Sequence, residues 1–284
     1  MTSIPRPILV LGLSSLIGRR LPALAAARDL KLVGISRSPR EAAPGVLWVT
    51  ADLQAPAPVL PAAAKVVSLS PIWLLTPPVL EALHQGGARR IVAFSSTSRF
   101  TKAESPVAEE RAVAARLAEG EARLQAFCGA RGIAWTVLRP TLIYAEGEDG
   151  NVSRLAALIR RFGVLPLAGR GMGLRQPVHA QDLAQAALDA LAAPGALDRA
   201  YDLPGGETLS YRAMAVRIFE GLGRRPRLIY LPPPLWTAAL RLAGPLLPGV
   251  TAGMGLRMDA DLAFDGAPAT RDFGWRPRDF HPRF

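Results

Sequence analysis

Residues 8–18 read Ile8-Leu9-Val10-Leu11-Gly12-Leu13-Ser14-Ser15-Leu16-Ile17-Gly18. The first four are a short, continuous apolar run, as expected of a strand buried on both faces. A glycine turn follows, Gly12 to Gly18, and then a helical stretch over about 16–28. Strand, glycine turn and helix in that order are the context a dinucleotide turn requires. Gly12 lets the chain turn sharply, and Gly18 lets the helix pack close to the strand. The helix N-terminus offers free N–H groups and a positive dipole end to a pyrophosphate, which puts Ser14, Ser15, Leu16 and Ile17 at the phosphates. The chain holds 26 glycines. Two at this spacing also suit an ordinary βα turn, so the surroundings must decide.

They continue the pattern. Apolar runs at 31–35, 46–49, 66–69, 91–94 and 133–138 read as strands, the last stopped by Arg139-Pro140. Residues 78–85 and the Ala- and Glu-rich 108–130 read as helices. Strands alternating with helices predict a parallel sheet covered on both faces, and right-handed crossovers favour a doubly wound, Rossmann-type α/β fold. After about residue 145 the pattern changes: 152–162, 180–192 and 211–222 look helical, with shorter strands between. The division expected is a nucleotide-binding domain over 1–145, with core-sheet elements added from about 173–203. Residues 146–284 then form mainly a small α/β lobe that closes a cleft.

The second strand ends on Ser36-Arg37. A carboxylate there would bind the ribose 2′-hydroxyl of NAD, whereas an arginine can bind the 2′-phosphate of NADP. This favours NADP(H) over NAD(H), although Arg37 also fits a solvated surface residue. Asp52-Leu53, past the third strand, is placed to reach an adenine amino group or to serve as a turn aspartate.

Bulk composition narrows the rest. The chain has 284 residues, is half hydrophobic, and carries a net charge of +11. That suffices for one large domain or one domain with a smaller lobe. Only Lys31, Lys65 and Lys102 are lysines, so part of the charge is an arginine-rich compositional background. The single cysteine, Cys128, excludes an intrachain disulfide and a cysteine-based zinc site. His84, His179 and His281 have no ligand spacing, so no metal is expected. An N-terminal signal peptide is disfavoured, because Arg19 and Arg20 interrupt it. No spanning helix is expected, and the chain reads as cytoplasmic. No basic stripe interleaved with aromatics marks a specific nucleic-acid binder.

Further stretches resemble the short-chain dehydrogenase/reductase superfamily, in its extended, NAD-dependent epimerase/dehydratase branch. The glycine turn is similar to that family's Gly-x-x-Gly-x-x-Gly. Ser95-Ser96-Thr97 resembles its catalytic Ser/Thr segment, and Leu138-Arg139-Pro140 with Ile143-Tyr144 the segment where the nicotinamide rests. Residues 177–184, 201–210 and 274–277 resemble three later signatures in order. The resemblance implies that Leu69, Ser70, Ser95 and Pro140 also line the cofactor, and that Thr97 hydrogen-bonds the reacting oxygen. Two departures stand out. The middle glycine of the turn is Ser15, whose Cβ would crowd a pyrophosphate, although its hydroxyl can donate to phosphate. The family's Tyr-x-x-x-Lys pair is missing from the long helix. If Glu121 matches the family glutamate four residues after the lysine, Val113 and Leu117 occupy the catalytic positions. Arg116 sits one position off the lysine. Tyr144 is the best remaining phenol for proton transfer, with ring packing beside the nicotinamide as the competing reading. His179 and Asp182 fit structural roles at a helix start better than a catalytic dyad.

The apolar stretch 228–250, with Trp236 and Arg241, reads as core, as a lid, or as a peripheral membrane contact through 232–247 on the inner face of the membrane. Two functions follow. One is an oxidoreductase or epimerase-like enzyme, monomeric or homodimeric, acting on an anionic, nucleotide- or lipid-linked small molecule held by Arg99 and Arg175. The other is a non-catalytic NADPH-binding scaffold or complex subunit.

Overall fold

The computed structural model describes residues 7–41, 43–232, 235–236 and 257–284. Seven parallel strands form the central sheet: β1 (Ile8–Leu11), β2 (Leu32–Ser36), β3 (Val46–Thr50), β4 (Lys65–Ser68), β5 (Arg90–Phe94), β6 (Ala134–Pro140) and, after the short strands and helices of the lobe, β11 (Arg199–Leu203). Their spatial order is β11-β6-β5-β4-β1-β2-β3. The order reverses between β1 and β4, which opens a crevice at the C-terminal ends of those strands, the usual ligand position in such sheets.

The central strands are buried on both faces because helices cover both. On one face α1 (Leu21–Ala26) and α6 (Ala180–Ala192) pack on Ile8, Val10, Val67 and Val92. On the other, α2 (Pro77–Gln85) and α4 (Ala108–Arg131) pack on Leu9, Leu11, Val66 and Ile91. The alternation along β1 sends successive side chains to the two cores, as the two-residue period requires. Cys128 lies in the second core, fully buried and unpaired.

The lobe has its own core. It combines α5 (Val152–Phe162), α7 (Tyr211–Gly221), β8 (Leu165–Ala168) and β13 (Leu228–Leu231), the last two paired in parallel. Short pairs link it to the sheet: β7 (Ile143–Tyr144) with β10 (Val178–His179), and β9 (Leu174–Arg175) with β12 (Leu209–Ser210). Two short helices complete the described fold, α3 (Ser98–Thr101) and α8 (Ala267–Phe273).

Two expectations are corrected. The helix expected over 16–28 is a 3₁₀ turn at Gly18–Arg20 followed by α1 from Leu21. Pro22 lacks an N–H and fits only the first turn of a helix, so it fixes the start there. The sixth strand is not stopped by Arg139-Pro140; both belong to it, and they pair with Asp202 and Leu203 of β11. Most of the apolar stretch 228–250, including Arg241 and nearly all of 232–247, lies outside the described residues. Of it, Trp236 is buried in the lobe core and Leu235 is exposed.

Candidate functional site

Two cavities lie beyond the C-terminal ends of the sheet strands. The first, of about 310 Å³, is lined by Gly12, Ser14, Ser36, Arg37, Asp52, Leu53 and Ser70. These are seven of the residues that the sequence assigns to the cofactor. Ser38, Arg40, Gln54 and Leu74 also line it, and the sequence reading missed them. Arg40 was within reach of that reading, since it stands three residues beyond Arg37. Its Nε donates to Ser36 Oγ at 3.3 Å, and its guanidinium faces the Trp48 ring at 5.9 Å. Asp52 accepts the N–H of Gln54 at 2.9 Å, so it makes the turn and lines the cavity at once.

The glycine turn is shaped for close approach. Gly12 has φ of +81°, and a Cβ there would stand 2.8 Å from Ser70 N and 2.9 Å from Ser70 Oγ. A Cβ on Gly18 would meet the carbonyl oxygens of Gly12 and Leu13 at 2.5 Å. Gly12 and Gly18 therefore allow a tightly packed turn that any side chain would disrupt, the close strand–helix packing that a dinucleotide turn uses. Ser15 caps the turn from within: its Oγ accepts the Gly18 N–H at 3.1 Å, which leaves the hydroxyl proton free to donate. Ser15, Leu16, Ile17, Gly18, Leu69, Ser95 and Pro140 do not line this cavity.

The second cavity, of about 520 Å³, lies between the sheet and the lobe. Its wall includes Thr97, Lys102, Glu110, Arg154, Arg175 and Arg257. Four cations face one carboxylate, so the space suits an anion. Arg175 is almost fully buried. It donates to the carbonyls of Leu174 at 2.6 Å and Ala260 at 2.8 Å, and to that of Arg257. Burial, offset by the nearby Tyr211 phenol, brings its pKa down to about 10. Its guanidinium lies 5.3 Å from the Tyr211 ring centre. Hydrogen bonding from Arg257 holds the Glu110 carboxyl below its ordinary range. Arg154, Tyr211 and Glu110 reach the cavity from the first turns of α5, α7 and α4, which no local sequence signal announces.

Thr97 is buried at the cavity wall, and its hydroxyl donates to the Pro140 carbonyl at 3.2 Å. Arg99 does not line the cavity. It is engaged with Glu121, which is completely buried and also takes Arg139 and the Ser95 hydroxyl. Tyr144 lines neither cavity. Its ring packs edge-on between His179 at 5.0 Å and Phe280 at 4.9 Å, so the geometry matches the packing reading and not a proton donor. Burial raises its phenol pKa well above the ordinary value. Val113 and Leu117 are packed against the second sheet core. Arg116 is exposed and lies 4.2 Å from the Trp73 ring centre, away from both cavities. His179 caps α6 by accepting the Gln181 N–H at 3.1 Å, while Asp182 holds Arg278 at 2.7 Å. Both roles are structural. Among the described residues no cluster of His, Cys, Asp and Glu could hold a metal, and no helix is long and apolar enough to cross a membrane.

The doubly wound parallel sheet, with the glycine turn at its switch point and a lobe beside it, is a Rossmann-type α/β fold. Residues 72–203, just under half of the chain, match the NAD dependent epimerase/dehydratase family, and the motif resemblance is borne out over that span. The fold is similar to MoeE5 in complex with UDP-glucose and NAD, at a TM-score of 0.72 and 19% identity over 96% of this chain and 94% of that one. It is also similar to the UDP-glucose 4-epimerase of Thermus thermophilus in complex with NAD, at 0.67 and 20% over 97% and 95%. A dTDP-glucose 4,6-dehydratase from Bacillus anthracis in complex with NAD gives 0.69 and 16% over 96% and 92%. In sequence, 157 residues are 28% identical to the Arabidopsis thaliana mitochondrial protein NADH dehydrogenase (ubiquinone) 1 alpha subcomplex subunit 9. The match covers 55% of this chain and only 36% of that relative.

Proposed function

We propose that the protein is an NADP(H)-binding oxidoreductase of the epimerase/dehydratase-like type, taking an anionic small molecule in the larger cavity. The observation that carries this reading is that two cavities lie beyond the C-terminal ends of the same sheet's strands. One is walled by the nucleotide residues and two arginines, the other by Thr97 and four cations. Arg37 and Arg40 would hold the 2′-phosphate, Asp52 the adenine edge, and the Gly12 and Ser15 turn the pyrophosphate. When bound, the cofactor supplies hydride transfer. Thr97 turns its hydroxyl from the Pro140 carbonyl toward a substrate oxygen, and Arg154 and Arg175 orient the anion. A nucleotide- or lipid-linked substrate fits this charge pattern.

The test is titration of the purified chain with NADPH and NADH, followed by NADPH oxidation against sugar nucleotides, quinones and aldehydes. Tighter NADPH binding and turnover that falls ~100-fold in Thr97→Ala support the reading. Equal affinity for the two cofactors contradicts the NADP(H) assignment.

One observation favours a second reading, a cofactor-holding scaffold or complex subunit. Val113 and Leu117 are apolar and belong to the core, so α4 offers no acid, base or ribose-binding cation at those positions. The partial likeness to a subunit named as part of an NADH dehydrogenase agrees with it. Tight NADPH binding with no turnover on any substrate, in wild type and Thr97→Ala alike, selects this reading.

A further inference from the structure

The net charge is unevenly placed. Residues 152–170 and 211–231 contain nine arginines and one glutamate, Glu220, a net of +8 within a chain total of +11. An even arginine background would not collect there. The two stretches, α5 with β8 and α7 with β13, are also joined in space. Arg224 Nη1 donates to the carbonyls of Ile159 at 2.8 Å and Arg160 at 3.2 Å. The Leu165 N–H donates to Arg227 O at 2.9 Å, and β13 then runs along β8 from Leu228 beside Leu165 to Leu231 beside Ala168. Arg160 and Arg161, in the last turn of α5, thus share one edge of the lobe with Arg224, Arg225 and Arg227.

None of these five arginines forms an ion pair with a carboxylate among the described residues, in contrast to Arg217, which holds Glu207. Large apolar side chains are also exposed on these two stretches. Phe162 is 50% exposed, Ile229 45% and Tyr230 44%. Arg161 lies 5.1 Å from the Phe162 ring centre, and Arg212 lies 5.7 Å from that of Tyr230. Among the described residues β13 pairs only with β8.

Unpaired like charges repel, and exposed aromatic area is costly in water; both are relieved by an anionic surface with an apolar interior. We propose that this arginine- and aromatic-lined edge docks the protein onto an anionic lipid bilayer. The arginines meet the headgroup phosphates, and Phe162 and Tyr230 enter the headgroup–acyl boundary. Duplex DNA or an acidic protein would satisfy the arginines alone and leave the apolar side chains without a role. Docking of this kind does not depend on which reaction the cleft performs.

The test is co-sedimentation of the full chain with phosphatidylcholine vesicles and with mixed phosphatidylcholine–phosphatidylglycerol vesicles. Binding is expected to the mixed vesicles only, weakening as salt rises. Arg161→Glu with Arg225→Glu should lower the partition ~10-fold or more. Phe162→Ser with Tyr230→Ser should weaken binding and leave its salt dependence in place. Arg89→Glu with Arg276→Glu, the same charge change at exposed positions elsewhere, should bind like the parent. Unchanged melting midpoints show that each variant is folded. No sedimentation with anionic vesicles at low salt overturns the proposal, as does an equal loss in the Arg89/Arg276 control. Binding to duplex DNA that outcompetes the vesicles, or binding indifferent to Phe162 and Tyr230, overturns it as well.

Discussion

Glu121 of α4 and Arg139 of β6 form a forked ion pair beneath the Ser95–Thr97 segment. Arg139 Nε stands 3.1 Å from each carboxylate oxygen, and Nη2 stands 2.6 Å from Oε2. Ser95 Oγ donates to Oε1 at 2.5 Å, and Arg99 completes the set. One fully buried carboxylate thus ties α4, β6 and the segment bearing Thr97 together. Removing one partner of a buried pair leaves an uncompensated charge and costs about 3–5 kcal/mol. Glu121→Gln should fall near the low end, about 3 kcal/mol, because Arg99 is partly exposed and the amide still accepts hydrogen bonds. For a chain of this size the melting midpoint should drop by ~6–12 °C, measurable by calorimetry.

His179 gives a pH dependence of known sign. Its Nδ1 accepts the Gln181 N–H, so Nε2 carries the proton and donates to Glu146 at 3.2 Å. Burial and the nearby Arg278 charge lower its pKa, against the opposing pull of Glu146. A folded pKa below the unfolded value of about 6.5 means that the unfolded chain takes the proton first. His179 therefore contributes no penalty above that pH, and stability falls as pH drops through it. Denaturant unfolding at descending pH should show the loss, and His179→Asn, which can still cap the helix, should reduce it.

Much of the fold was legible because it is written locally. Runs such as Ile8–Leu11 and 91–94 are buried on both faces, so they carry no polar alternation and read as interior strands. The smaller cavity was legible for the same reason, since Gly12, Ser36-Arg37 and Asp52-Leu53 each come at or just past the end of a strand. The larger cavity was not. Arg154 and Tyr211 come from helix starts in the lobe, and Arg257 comes from a segment more than a hundred residues beyond Glu110, its partner. Such convergence depends on packing that no spacing encodes. Arg99 was misjudged for a related reason: its partner Glu121 lies a full helix away in sequence, and the buried carboxylate takes the guanidinium that the sequence offered to a substrate.

Arg37 supplies the sharpest cofactor test. It is exposed and lines the smaller cavity together with Arg40. A hydrogen bond to a charged phosphate contributes about 1.5–3 kcal/mol. Arg37→Ala should therefore weaken NADPH binding ~10-fold or more while leaving NADH nearly unchanged. Titration calorimetry with both cofactors checks this, and rising salt should narrow the wild-type difference.

Leu117 tests whether the family's lysine can simply be put back. Its side chain is 4% exposed, within the core that also holds Ile72, Leu75 and Ile91. The carboxylate one turn along the helix, Glu121, is already held by two arginines. A lysine at 117 would thus be buried without a partner, and its pKa would fall below the ordinary value of about 10.4. Leu117→Lys should cost ~3 kcal/mol or more at neutral pH, because burying an unpaired charge is unfavourable. The linkage sign is definite: the charged form favours the unfolded chain, so the cost shrinks as pH rises toward the unfolded lysine's pKa. Unfolding free energies of wild type and variant at about pH 7 and about pH 10 provide the check. A pH-independent difference would instead mean that the ammonium reaches solvent, and that the core at this position opens more readily than its burial indicates.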